Sequence, residues 1–282
     1  MNYKNMDTLA EKIKKQIEEA IAVIRQKTQL IPEIGIILGT GLGGLAKEIQ
    51  VESTVHYSEI PHFPHSTGSS HSGQLIFGTI AGKPIVAMQG RFHFYEGYNL
   101  KQVTFPVRVM KYLGIKTLLI SNACGSLNPH IKKGDIMIIE DHINLLGDNP
   151  LIGINDDSFG PRYPDMSEPY SKRLSSIVEN IALENKIPVK KGTYAIMSGP
   201  SLETRAEYKM LQIIGADAIG MSTVPENIVA KQSGLEVFGL SIITDECIPE
   251  VLKPTSIDEI IETASKAEPK LTFLMKELIK EL

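Results

Sequence analysis

The chain has 282 residues, of which 42% are hydrophobic, and its 29 basic and 33 acidic residues give a formal net charge of -4. This composition can fill a sizeable buried core, and a slightly acidic chain whose basic residues are spread out is not typical of nucleic-acid-binding proteins. No apolar run approaches the ~20 residues of a membrane span, and the N-terminus has no apolar signal region, so neither membrane insertion nor secretion is expected.

The two cysteines, Cys124 and Cys247, lie far apart in the sequence and lack the spacing of a CxxC motif. They argue against a disulfide scaffold and against a structural zinc site. Because unpaired thiols are typical of a reducing compartment, the sequence predicts a cytoplasmic protein.

Helical and strand-like patterns alternate along the chain. An amphipathic helix is predicted over residues 7–28, and a short strand of the buried type follows at 34–38. Further strands are predicted over residues 74–80, 84–89, 116–121, 135–140, 192–197, 216–220 and 236–244. Further helices are predicted over residues 101–113, 167–186, 203–214 and 225–233. The alternation predicts an α/β fold in a single domain, residues 1–282, with an N-terminal helix within 1–30 and a C-terminal helical segment at 256–282.

Three features interrupt this pattern. The stretches 51–73 and 144–168 have the composition of loops, which are the segments most able to bring residues into a site. Pro269 lies inside the C-terminal helical pattern, where its ring and its missing N–H predict a kinked or split helix.

A glycine-rich loop, Gly39-Thr40-Gly41-Leu42-Gly43-Gly44, follows the strand at 34–38. It satisfies the G-x-G-x-x-G pattern, but no second parallel strand ending in an acidic residue follows about 20 positions later, so a dinucleotide site is disfavoured. A loop whose backbone N–H groups and Thr40 hydroxyl hold one phosphate is the favoured interpretation. A purely structural tight turn is the alternative.

The second candidate is the run from Gln89 to Gly97. In an extended segment Arg91, His93 and Tyr95 alternate onto one face, and the two phenylalanines between them point into the core. The guanidinium and imidazole donors of that face suit an anion such as phosphate. An ordinary amphipathic strand would have the same pattern.

The third candidate is the run Gly220-Met221-Ser222-Thr223-Val224-Pro225-Glu226, where a strand ends and a helix begins. Thr223 and Glu226 have the spacing of a capping box, which by itself explains the run. The same helix start also offers the Ser222 hydroxyl to an anion. Thr40, Arg91 with His93, and Ser222 all follow predicted strands, which is where ligands bind in open α/β sheets.

With these runs, further blocks along the chain form a pattern that resembles the trimeric-type purine nucleoside phosphorylases, a family that also includes methylthioadenosine phosphorylases. The further blocks are His71-Ser72-Gly73, Thr104-Phe105-Pro106-Val107-Arg108, Ser121-Asn122-Ala123-Cys124-Gly125, Gly134-Asp135-Ile136-Met137, Asp141-His142-Ile143-Asn144 and Ser198-Gly199-Pro200-Ser201-Leu202-Glu203-Thr204. The resemblance runs nearly end to end. It implies an α/β domain of the nucleoside phosphorylase type, with a central mixed sheet flanked by helices.

The resemblance also implies a site that cleaves purine nucleosides with phosphate. The phosphate would be held by Thr40, His71, Arg91, His93, the Ala123 backbone and Ser222. The nucleoside would contact Tyr95, Phe159, Leu202, Glu203, Met221, Asp245 and Ile257. The catalytic residues would be His93, Glu203 and Asp245.

Its implied ligands are a purine nucleoside and inorganic phosphate as co-substrate, with no cofactor, no metal, no nucleic acid and no membrane. The implied assembly is a homotrimer in which Phe159 reaches a neighbouring subunit's site. A metal site built from His62, His65 and His71 is disfavoured, because these residues lie in a loop-like stretch without matched carboxylates.

Three positions depart from the pattern for 6-oxopurines. Asp245 stands where Asn is usual, Ile257 stands where many relatives have the His that meets the 5′-hydroxyl, and Leu202 stands where Phe is common. Glu203, in contrast, retains the 6-oxopurine pattern. The alternative activity is therefore a phosphorylase of methylthioadenosine or of other 5′-modified or 6-aminopurine nucleosides. A non-catalytic nucleoside- or phosphate-binding protein is a third, disfavoured class.

Overall fold

The computed structural model describes residues 4–39, 43–65, 73–254 and 256–282. Within these residues the chain forms one nine-stranded mixed sheet flanked by helices. The strands are β1 (Ile34–Leu38), β2 (Gln50–His56), β3 (Gln74–Ile80), β4 (Lys83–Gln89), β5 (Thr117–Ser126), β6 (Ile136–Asn144), β7 (Val189–Ile196), β8 (Ala218–Gly220) and β9 (Glu236–Glu246). The helices are α1 (Lys4–Lys27), α2 (Gly44–Lys47), α3 (Leu100–Leu113), α4 (Lys172–Glu184), α5 (Arg205–Ile213), α6 (Val224–Gln232) and α7 (Ile257–Lys280).

The strand order is β2-β3-β4-β1-β5-β8-β7-β6-β9, and β9 also pairs with β5. β5, β8, β7, β6 and β9 therefore close into a ring, and the other four strands extend from it as an open sheet. β1 runs parallel to both of its neighbours, β4 and β5. All five of its residues are buried, as expected for a parallel strand covered on both faces.

Helices cover both faces of this sheet. One face packs against α1, α3 and α6, whose apolar residues share a core cluster with β1, β4 and β5. The other face packs against α2, α4 and α7. A smaller cluster lies under α5. Because helices take up both faces, the end of the sheet where several strands terminate remains open for a site.

Most of the predicted elements are confirmed, with boundaries shifted by a few residues. The clearest difference is β2, which lies in a stretch whose composition predicts a loop. β2 pairs antiparallel with β3, so the glycine-rich loop does not begin a βαβ unit of the dinucleotide-binding type.

The C-terminal helix is not split at Pro269, because α7 continues through this residue. Pro269 and the residue four positions earlier, Ser265, are both exposed, so the proline lies on the solvent side of α7. Among the described residues, no helix is long and apolar enough to cross a membrane.

Candidate functional site

A cavity of about 260 Å³ opens beside the ends of β4, β5, β8 and β9. These strands bring together segments that lie more than 100 residues apart in the sequence. Ten of the predicted site residues line this cavity: Arg91, His93, Tyr95, Ala123, Leu202, Glu203, Met221, Ser222, Asp245 and Ile257.

Arg91 and Ser222 form the buried end of the cavity. Nη1 of Arg91 donates to Oγ of Ser222 at 2.8 Å, and the two residues are only 7% and 8% exposed. Nη2 of Arg91 has no hydrogen-bond partner within the part of the chain that the structure describes. A buried guanidinium donor beside a hydroxyl is suited to a phosphate oxygen.

His93 and Tyr95 lie next to this pair, but not on an extended strand as predicted. β4 ends at Gln89, and a short 3-10 helix turns the chain at Phe94–Glu96. The turn stacks the ring of His93 on that of Tyr95, with centroids 4.7 Å apart. The predicted face therefore exists, although a turn builds it.

Glu96 is a residue of this turn that the sequence analysis missed. Its Oε1 accepts from the backbone N of His93 at 2.8 Å and lies 2.9 Å from the His93 Nδ1. The pair leaves the Nε2 side of the ring to face a ligand. The spacing of three residues between histidine and carboxylate was the signal available in the sequence.

The helix start after β8 has no capping box. Thr223 has a φ of 76°, which is rare for a β-branched residue, and its side chain makes no cap hydrogen bond. Its Oγ1 instead accepts from Nδ2 of Asn122 on β5 at 2.8 Å. The capping-box interpretation of this run is therefore wrong, and the side chain of Glu226 can make another contact.

Asp245 is held as a hydrogen-bond acceptor at the opposite end of the cavity. Oγ1 of Thr244 donates to Oδ1 at 2.9 Å, and Sγ of Cys247 donates to Oδ2 at 3.0 Å. Gly125 on β5 makes room for this arrangement, because a Cβ there would collide with the Cys247 sulfur and lie 3.0 Å from Oδ2. Burial raises the pKa of the Cys247 thiol, so the thiol keeps its proton and remains a donor.

Glu203 lies near Asp245 and is half-buried. Desolvation raises its pKa above the ordinary value of a glutamate, although hydrogen bonds from its own backbone and from the hydroxyl of Tyr208 act in the opposite direction. Two carboxylates at one end and a guanidinium at the other give the cavity opposite charges at its two ends.

The mouth of the cavity is apolar and open. Leu202 and Ile257 are 52% and 72% exposed, and Ile257 is the first residue of α7. Ile260 and Ile261 of the same helix also line the cavity. This edge offers apolar contact to a ligand and, apart from Tyr95, few polar partners.

Comparison with known proteins identifies the fold. A model of the phosphorylase superfamily matches residues 33–280. The chain belongs to this superfamily. It is 49% identical to purine nucleoside phosphorylase 1 of Bacillus subtilis (strain 168), over 95% of this chain and 99% of the relative.

Solved structures agree with this assignment. Isoform 2 of purine nucleoside phosphorylase from Schistosoma mansoni, in complex with cytosine and ribose-1-phosphate, superposes with a TM-score of 0.91 at 40% identity, covering 95% of this chain and 96% of that one. The purine nucleoside phosphorylase from Schistosoma mansoni in complex with inosine superposes with a TM-score of 0.90 at 39% identity, over the same shares of the two chains. The central mixed sheet and flanking helices predicted for this phosphorylase are confirmed.

Among the predicted site residues that the structure describes, Phe159 is the one that does not line the cavity of the phosphorylase. Its side chain is 3% exposed, and the guanidinium of Arg108 lies 4.7 Å from its ring centroid. A ring buried in its own subunit is not available to a neighbour. The exposed aromatic of the same segment is Tyr163, at 82% exposure. The sequence could not distinguish the two rings, because only their packing differs.

Thr40 and His71 lie outside the described residues. Of the histidines in the disfavoured metal site, His62 has its Nε2 2.5 Å from a carboxylate oxygen of Glu19 on α1. No group of three metal-ligating side chains occurs among the residues that the structure describes.

Proposed function

We propose that this phosphorylase cleaves the N-glycosidic bond of purine ribonucleosides and deoxyribonucleosides with inorganic phosphate, and releases the free base and (deoxy)ribose 1-phosphate. The observation that carries the proposal is one cavity with the Arg91 and Ser222 donors at one end and the Glu203 and Asp245 carboxylates at the other. The similarity to the purine nucleoside phosphorylases of Bacillus subtilis and Schistosoma mansoni supports the same activity.

The buried end accounts for the nucleophile. As the bond to the base breaks, positive charge develops at C1′ of the sugar, and a phosphate anion beside it is both counter-charge and nucleophile. Arg91, His93 and Ser222 are the described donors that hold the phosphate, with Thr40 and His71 as proposed additions. Fixing the anion there also removes the entropic cost of bringing it to C1′. The reaction then requires no cofactor and no metal.

The carboxylate end accounts for the leaving group. The purine takes up the electron pair of the broken bond, so its nitrogens become more basic and must be protonated or hydrogen-bonded. Glu203 accepts from the N1–H of a 6-oxopurine. Asp245 donates to N7 after binding a proton, or accepts from a 6-amino group when ionised. Tyr95, Leu202 and Met221 contact the sugar and the base.

A second candidate, a preference for 6-aminopurine or 5′-modified nucleosides such as methylthioadenosine, is favoured by the surroundings of Asp245. Thr244 and Cys247 both donate to its carboxylate. An ionised carboxylate can accept from an amino group but has no proton for N7. Ile257 adds an apolar contact where a 5′-methylthio group would lie.

The deciding experiment follows release of free base from inosine, guanosine, adenosine and methylthioadenosine, each with and without phosphate. We expect release only with phosphate. The ratio of kcat/KM for inosine and adenosine then decides between the two candidates. Release that does not depend on phosphate contradicts a phosphorylase, and no release from any of the four contradicts the proposed substrate class.

We further propose that copies of the chain form a homotrimer in the cytoplasm. Tyr163, with 82% exposure, and Ile152, with 59%, support an association surface, and both line a second cavity. The aromatic offered to a neighbouring subunit would then be Tyr163 rather than Phe159. Light scattering of the parent and of Tyr163→Ala measures the assembly, and a monomeric parent would overturn it. The two buried free thiols support a reducing location.

A further inference from the structure

The carboxylate of Glu226 lies against the buried end of the cavity, although it is not part of the cavity wall. Its Oε1 is 3.5 Å from Nε of Arg91, and both side chains are 4% exposed. Glu226 is the third residue of α6. In a capping box it would turn back to its own helix start, but here its side chain points to Arg91 instead.

The three nitrogens of the Arg91 guanidinium therefore face three different surroundings. Nη1 donates to Ser222 at 2.8 Å, and Nε forms an ion pair with Glu226 at 3.5 Å that is not a hydrogen bond. Nη2 has no hydrogen-bond partner among the described residues. Because a guanidinium is planar and rigid, contacts at Nη1 and Nε fix the direction in which Nη2 points. The protein thus holds two corners of the group and leaves the third for a ligand.

The charge of Glu226 also indicates that it holds Arg91 in place for an anion. A buried arginine without a counter-charge is costly, and a flexible side chain would relieve that cost by turning toward water. A carboxylate behind the guanidinium removes the cost and keeps the side chain in place before the anion arrives. The carboxylate lies behind Nε, where it can attract the guanidinium without occupying the corner that remains for phosphate.

We propose that Glu226 is a positioning residue that orients Arg91 for the phosphate co-substrate. The proposal rests on the proposed function, because it concerns the phosphate of that reaction. It predicts that Glu226 affects the binding of phosphate and does not affect the binding of the purine. A purely structural ion pair would affect folding but would leave the KM for phosphate unchanged in the folded enzyme.

The test compares Glu226→Gln and Glu226→Asp with the parent, using separate titrations of phosphate and of inosine. Because the Gln side chain leaves the buried guanidinium without its counter-charge, we expect Glu226→Gln to raise the KM for phosphate roughly 10- to 100-fold. The KM for inosine should change by less than about twofold, because the base and sugar contacts remain. Glu226→Asp retains the charge and should recover part of the loss.

The matched control is Glu236→Gln. Glu236 also pairs with an arginine, with 2.7 Å between its Oε2 and Nη2 of Arg173, but the side chains of this pair are 32% and 56% exposed. We expect parental kinetics from this variant. A second readout is the rise in melting temperature on adding phosphate, which should be smaller for Glu226→Gln than for the parent and unchanged for the control.

Each outcome decides. If the folded Glu226→Gln variant keeps the parental KM for phosphate, or if both KM values rise equally, the positioning role is wrong. If Glu226→Gln does not fold, Glu226→Asp decides by the same two titrations. A parent that is neither stabilised by phosphate nor dependent on it contradicts the proposed function itself. That result differs from a phosphate-dependent parent with an unaffected variant, which overturns only the role of Glu226.

Discussion

The buried end of the cavity and its mouth are built differently. At the end proposed for phosphate, Arg91 and Ser222 are 7% and 8% exposed and hydrogen-bonded to each other. The carboxylate of Glu226 forms an ion pair with Arg91 there. At the mouth, Leu202 and Ile257 are 52% and 72% exposed and make no hydrogen bonds through their side chains. The buried end is preorganised and polar, whereas the mouth is open and apolar.

This difference separates the part of the site that binds the anion from the part that recognises the sugar and the base. Stabilising an anion requires donors that are already oriented and shielded from water, because a loose or solvated donor contributes little. Recognition of the sugar and base substituents is achieved by contact and by exclusion, which a few exposed side chains can alter without disturbing the core. We therefore expect substitutions at the buried end to affect every substrate, and substitutions near Asp245 to change the ranking of substrates.

The largest effect is expected from Arg91→Ala. Losing a buried cationic donor should lower kcat/KM for phosphate roughly 100- to 1,000-fold with every nucleoside alike. Phosphate titrations with inosine and with adenosine measure it. Arg173→Ala, which removes an exposed arginine, is the control. A loss that differs strongly between the two nucleosides would mean that Arg91 contacts the nucleoside instead.

A smaller and selective effect is expected from Glu203→Ala. Only 6-oxopurines present an N1–H to this carboxylate, so inosine and guanosine should lose roughly 100-fold in kcat/KM relative to adenosine. The comparison of the three specificity constants in parent and variant measures the effect. An equal loss on all three would show that Glu203 does not distinguish the purines.

Asp245→Asn should shift the preference toward inosine. The amide supplies a donor that the ionised carboxylate lacks, and an exchange of this kind is worth about tenfold in the ratio of inosine to adenosine. The ratio of kcat/KM for the two nucleosides is the measurement. A parent that ignores adenosine, together with an unchanged ratio in the variant, would remove Asp245 from base recognition.

The smallest effect concerns pH. Burial raises the pKa of Glu203, and the carboxyl group accepts from N1–H most strongly when it is ionised. Activity on inosine should therefore decline, as pH falls, at a higher pH than an ordinary glutamate would allow. Adenosine has no N1–H, so its decline should begin at lower pH. Profiles of kcat/KM against pH for the two substrates measure this, and coinciding acid limbs would contradict it.

Local sequence was sufficient where a side chain's role depends on its immediate neighbours in the chain. The buried strand at Ile34–Leu38 and the pairing of β3 with β4 around the glycine turn follow from short-range patterns. β2 was missed because its residues are mostly exposed, so no apolar alternation marks it. Its strand geometry comes from pairing with β3 rather than from its own composition.

The sequence by itself determined the set of reactive groups near the strand ends and, through the resemblance, the family to which the chain belongs. Only the tertiary structure decided which of these groups meet. Phe159 and Tyr163 are both aromatic residues of one short segment, yet packing buries the first and leaves the second exposed. Glu226 has the spacing of a helix cap, yet it contacts Arg91 across 135 positions of chain. The reason is physical: a spacing fixes neighbours along one element, whereas burial and ion pairing depend on which elements the sheet brings together.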